Sequence, residues 1–112
     1  NKNEKVAKYQ VENAGLVLEQ QKLALTAQLA TLYASYQTNL ELVKVEEKNL
    51  EIAKQNLDIT LAKFKIGTIT TIEFRTAQQN FVEASVRYSN AQYLTKLSEI
   101  NLKELAGTLQ LN

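Results

Sequence analysis

The chain has no proline, no cysteine, no histidine and no methionine, and only three glycines, Gly15, Gly67 and Gly107, in 112 residues. So little punctuation cannot serve an all-β or α/β fold, which needs turns between short elements. Without cysteine there is no disulfide and no thiolate ligand, and this fits any compartment. Without histidine or cysteine, zinc sites, cysteine nucleophiles and Ser-His-Asp triads are excluded within the chain. With no methionine, residue 1 is no start-codon product, so the sequence reads as a processed or excised piece of a larger protein. No signal peptide and no apolar run of about 18 residues is present, so any membrane role lies in parts not contained here. Thirteen basic and twelve acidic residues nearly cancel, which argues against nucleic acid or an anionic membrane surface as partner.

What is present favours long helices: alanine, leucine, glutamine, glutamate and lysine dominate. One place reads as a chain reversal, Lys65-Ile66-Gly67-Thr68-Ile69-Thr70-Thr71. Gly67 supplies a left-handed residue to end a helix. Thr68, Ile69, Thr70 and Thr71 are β-branched and weak helix formers. Thr70-Thr71-Ile72-Glu73 matches a capping box, with Thr70 as cap and Glu73 reaching back to its backbone. The expectation is an all-α antiparallel hairpin in one unit. Helix 1 covers about 5–65, a tip turn 66–70, and helix 2 about 71–106, with Gly107 as the stop and Gly15 as a break or late start. At 1.5 Å per residue these are rods of about 90 and 50 Å.

Heptads supply the strongest signal. Leu29, Tyr36, Val43, Leu50, Leu57 and Phe64 recur every seven residues, and so do Val45, Ile52, Ile59 and Ile66 on the opposite face. A polar series runs between them: Gln37, Lys44, Glu51, Asp58 and Lys65. In helix 2, Phe74, Phe81, Tyr88, Thr95, Leu102 and Leu109 alternate with Ala77, Ala84, Ala91, Ser98 and Leu105, so large residues face small ones. A weaker set, Ile72, Val86, Tyr93 and Ile100, lies on the far side. One hairpin needs one apolar seam per helix, and these helices carry two. Either a palisade closed into a cylinder or a four-helix bundle of two hairpins buries both.

Catalytic candidates are absent. The acids are Asp58 and eleven glutamates. Glu46 and Glu47 diverge by about 100° on a helix, while Glu47 and Glu51 share a solvated face. No Glu-x-x-His motif is present for a di-iron centre, and Gly67 lacks the phosphate-loop frame. No cofactor or metal is expected.

The turn and its flanks resemble the TolC-type outer-membrane efflux proteins. That family carries A-E-x-N-L-x-x-A-x-x-N-L followed by R/K-F/Y-x-x-G-x-x-S/T-x-x-D/E-x-L-x-A-Q. Here Val45-Glu46-Glu47-Lys48-Asn49-Leu50-Glu51-Ile52-Ala53-Lys54-Gln55-Asn56-Leu57 leads to Lys63-Phe64-Lys65-Ile66-Gly67-Thr68-Ile69-Thr70-Thr71-Ile72-Glu73-Phe74-Arg75-Thr76-Ala77-Gln78. Ala91-Gln92-Tyr93 and Glu104-Leu105-Ala106-Gly107-Thr108-Leu109 are similar to the family's ending.

The resemblance implies a periplasmic tunnel hairpin of one repeat in a trimeric outer-membrane duct of a Gram-negative bacterium. Its membrane contact would come only through a β-barrel missing from this chain. It implies a tip at Gly67 to Thr71 that docks a periplasmic adaptor, with an inner-membrane pump supplying energy. Glu73 matches an acidic position near the tunnel entrance in some members, where carboxylates favour cations; the capping box alone also accounts for it. A second acidic position of some members is Thr76 here, a leucine position is Arg75, and a tip arginine is Ile69, so no charge gate carries over at those places. Arg75 is a candidate partner for Glu73 or for a neighbouring subunit. The alternatives are a coiled-coil interaction module without a transport role, or the hairpin of a periplasmic adaptor.

Overall fold

The computed structural model describes residues 1–111 as two α-helices, α1 (Lys2–Ile66) and α2 (Thr71–Leu111), and no strand occurs among them. The 65 residues of α1 at about 1.5 Å each account for the long axis of a 97 × 21 × 13 Å rod. The radius of gyration is 26.6 Å, twice the roughly 13 Å of a globule of this size. The accessible surface is 8741 Å², against about 6200 Å² for a compact monomer of this mass. No helix of the described residues is long and apolar enough to cross a membrane.

The helices pack antiparallel along one seam. On α1 it alternates by four and three residues through Leu25, Leu29, Leu32, Tyr36, Asn39, Val43, Glu46, Leu50, Ala53, Leu57 and Thr60, all half-buried. On α2 it runs through Phe74, Ala77, Phe81, Ala84, Tyr88, Ala91, Thr95, Ser98, Leu102, Leu105 and Leu109. Among the described residues only Ala77, Ala84 and Ala91 are fully buried, at 4%, 1% and 2% exposure. Their small side chains let the two backbones approach, and the aromatic rings between them lie along the seam without being enclosed. Leu29, Tyr36, Val43, Leu50 and Leu57 of the α1 heptad series lie half-buried along this seam, whereas Phe64 is 37% exposed and stacks on Phe74 at the turn.

The partner series on α1 is less apolar than its place demands. Asn39, Glu46 and Thr60 sit in line with Leu25, Leu32 and Ala53. Each is accommodated by a specific bond. Asn39 Nδ2 donates to Ser98 Oγ at 2.5 Å, and Thr95 Oγ1 donates to the Asn39 carbonyl at 3.0 Å. Arg87 Nε reaches Glu46 Oε2 at 3.1 Å, with the Glu46 side chain only 13% exposed. Thr60 returns its hydroxyl to the Asn56 carbonyl of its own helix, at 2.6 Å. Polar groups in a seam are tolerated when each finds a partner.

Two expectations at the glycines are corrected. Gly107 does not stop α2, and Gly15 neither breaks nor delays α1, because both lie inside helices. Gly67 alone among the glycines has positive φ. The reason at Gly107 is packing on both sides of it. Leu105 lines a groove with Ala27, Gln28, Thr31 and Leu32, and Leu109 another with Leu18, Gln21 and Leu25. α1 is long enough to give these leucines a partner, which outweighs a glycine's helix penalty of about 1 kcal/mol. Residues 1–24 of α1 are all exposed, and most of them extend past the end of α2.

A Cβ added at Gly107 meets nothing within 4 Å. Gly107→Ala should therefore stabilise the chain by about 0.5–1 kcal/mol, read as a rise in the thermal unfolding midpoint. A lower midpoint would restore the glycine as a helix stop.

Candidate functional site: the hairpin tip and the unpartnered faces

The tip is built from backbone bonds and a few capping side chains. Gly67 adopts φ 88° and ψ 19°, the left-handed conformation, where a Cβ is disfavoured. That turn folds two amides back on α1. Gly67 N–H donates to the Lys63 and Phe64 carbonyls at 3.0 Å, and Thr68 N–H donates to Lys63 at 3.0 Å. The pattern is a Schellman closure, which satisfies carbonyls that a helix end otherwise leaves open. Thr68 Oγ1 adds a third bond to the Lys63 carbonyl.

Three residues on, α2 begins with a reciprocal capping box. Glu73 N–H donates to Thr70 Oγ1 at 3.1 Å, and Thr70 N–H donates to Glu73 Oε2 at 3.0 Å. Phe64 and Phe74 close the base of the turn as a stacked pair, 4.9 Å between centroids and 10° between planes. Ile69 is half-buried at the position preceding the cap, with Phe74 four residues into the helix, the two places of a hydrophobic staple.

The other tip residues remain exposed. Thr68, Thr70 and Thr71 face solvent, and Ile66 and Ile72 are each 76% exposed. Arg75 has no ion-pair partner among the described residues, and the Glu73 carboxylate is engaged by the Thr70 amide instead. Lys63, Lys65 and Arg75 thus present positive charge around a single capped carboxylate.

The second pair of apolar stripes has no partner in the hairpin. Val45, Ile52, Ile59 and Ile66 are 53–76% exposed, and Ile72, Val86, Tyr93 and Ile100 are 44–76% exposed. On one flank an amide-lined groove separates the helices, formed by Asn49, Asn56 and Asn80 with Ile52, Glu83 and Arg87. No cluster of acidic residues suited to a metal occurs among the described residues. Surface ion pairs such as Glu99 with Lys103, at 2.8 Å, lie along α2; the Lys103 hydrogen bond holds the Glu99 carboxyl below its usual range.

Sequence reasoning did not find Asn39, Glu46 and Thr60 in the seam, nor their partners Arg87, Thr95 and Ser98 as hydrogen-bonding groups. The signal was the four-three spacing itself, which continues through those positions regardless of their polarity.

A family described as outer membrane efflux protein matches residues 1–108. The outer membrane protein TolC of Vibrio cholerae serotype O1 is 28% identical over 121 residues, an alignment covering 96% of this chain and 28% of that protein. The chain thus spans little more than a quarter of the length of this curated relative. No solved structure matches the chain.

Because a Cβ at Gly67 would meet no atom within 4 Å, only backbone conformation penalises substitution there. Gly67→Ala should destabilise the hairpin by about 1–2 kcal/mol, Gly67→Val by more, and Gly67→Asn by clearly less. Thermal unfolding of the three variants checks the order; equal losses would point to a steric cause instead. Thr70→Ala should cost about 1 kcal/mol, whereas Glu73→Gln retains the box and should leave the midpoint nearly unchanged.

Proposed function

This chain belongs to the outer membrane efflux protein family, and on that premise we propose that it is a wall segment of an efflux duct, with its tip turned into the periplasm. The duct is a trimer in its full-length parent, located in the outer membrane of a Gram-negative bacterium. The hairpin supplies a stave, and transport through it is passive. An adaptor docks at the Gly67 to Thr71 turn and an inner-membrane pump provides the energy. No residue here is suited to catalysis, and the family is one of channels.

One observation carries the reading: each helix keeps an apolar stripe exposed after the hairpin has closed. A lone coiled-coil module needs one seam. A stave needs two, because each helix must pack against a neighbour on either side. The polar series Gln37, Lys44, Glu51, Asp58 and Lys65, all exposed, then lies on a wall surface that meets water. The Gly67 turn suits docking for a separate reason. Its hydrogen bonds are internal, so the flanking Ile66 and Ile72, each 76% exposed, and the exposed Thr71 can meet a partner without unfolding either helix.

The test is accumulation of ethidium in source cells lacking the parent gene. Restoring the parent should reverse the raised accumulation. Restoring a parent with Ile52→Asp and Ile59→Asp should fail to do so, although the isolated hairpin with the same changes keeps its helicity. Full restoration by the stripe variant would remove the stave reading. For Glu73, the expected outcome of Glu73→Gln in the parent is an unchanged fold with reduced cation preference in single-channel conductance; an unchanged preference would leave Glu73 as a helix cap alone.

A further inference from the structure

The seam repeats itself so closely that its apolar residues cannot choose a register. Sliding α2 by one heptad toward the free end of α1 would put Ala77 where Ala84 stands, Phe74 where Phe81 stands and Phe81 where Tyr88 stands. Such a slide keeps α2 against helix along its length, because α1 extends beyond its end, and Leu109, which already lines a groove with Leu18 and Leu25, would keep Leu18. Two layers do not survive it. Asn39 would leave Thr95 and Ser98 and face Tyr88 and Ala91, with its amide unpartnered in the seam. Glu46 would exchange its ion pair with Arg87 for the neutral amide of Asn80. A buried polar group without a partner is penalised more heavily than an apolar mismatch.

We infer that the Asn39–Thr95–Ser98 layer and the Glu46–Arg87 pair select the register of the hairpin, independently of the turn. Two features support this. Both layers are long-range, joining residues 41 to 59 positions apart. Both also lie far from the Gly67 turn, which is the other restraint on register. A single polar position in an otherwise apolar heptad seam has the same use in coiled coils, where it fixes alignment at some cost in stability.

The absence of native cysteine makes the test clean. Ala53 and Ala84 stand two heptads tipward of Asn39 and Ser98, so Ala53→Cys with Ala84→Cys reports the native register. Ala53→Cys with Ala77→Cys reports the displaced one. Both are read as intramolecular disulfide in a glutathione buffer, in a chain carrying seven Gly/Ser residues inserted after Gly67. The insertion supplies the extra loop for a slide with both helices intact, so the turn no longer decides. With the native seam, only the 53–84 product should form. With Asn39→Leu and Glu46→Leu, the two products should reach comparable yields. Adding Leu32→Asn, which faces Thr95 and Ser98 only after the slide, should make the 53–77 product dominant, a gain that misfolding cannot mimic. Two outcomes overturn the inference: both products forming with the native seam, or the 53–84 product persisting alone in helical variants.

Discussion

The rest of the molecule depends on the close approach of the two helices along Ala77, Ala84 and Ala91. These are the only fully buried ones among the described residues, and all are small. Their size sets the distance between the rods, and that distance determines what the neighbouring positions can do. Phe74, Phe81 and Tyr88 are too large to enter so narrow a seam and lie against it half-exposed. Arg87 can reach Glu46 across it, and the Asn39 side chain can span to Ser98. Among the described residues no large side chain is completely enclosed. The hairpin therefore keeps much of its apolar surface available, and that surface is what a duct wall would use.

The tip follows from a different logic. There hydrogen bonds to amides and carbonyls dominate, with the Phe64–Phe74 stack closing the base. A left-handed glycine, three bonds to one carbonyl and a reciprocal threonine–glutamate pair together account for the reversal. Such a turn tolerates change at exposed positions outside the capping box, such as Thr71, as long as the backbone geometry is kept. It also separates two demands on Glu73. The carboxylate oxygen bonded to Thr70 serves the fold, while its charge remains at the tip whatever use the assembled protein makes of it.

Much of this was legible in the sequence for physical reasons. Gly67 with Thr70 and Glu73 carries a local signature, because all the bonds that matter lie within about five residues. The heptads of leucine, aromatic residues and alanine are equally local. What escaped was non-local. Asn39 and Glu46 look like surface residues until a partner more than forty positions away is placed opposite them. The end of α2 escaped likewise. Gly107 carries a correct local tendency to stop, overridden by Leu105 and Leu109 lying against α1. The amide-lined groove beside Asn49 and Asn80 also needed both helices in place before it existed.

The antiparallel arrangement has a consequence in time. Phe64 and Phe74, ten positions apart, can meet by closing one short loop, an event of tens of nanoseconds. Asn39 and Ser98, 59 positions apart, would face a far larger entropy of encounter if they met as free ends. Once the tip has closed, each further layer lies next to one already formed, so this separation adds little. The chain is thus arranged to zip outward from Gly67, with contact order that is high on paper and low along the path actually taken. The polar layers come late in that sequence, after the tip has set the alignment, and they hold the far end of the seam to it.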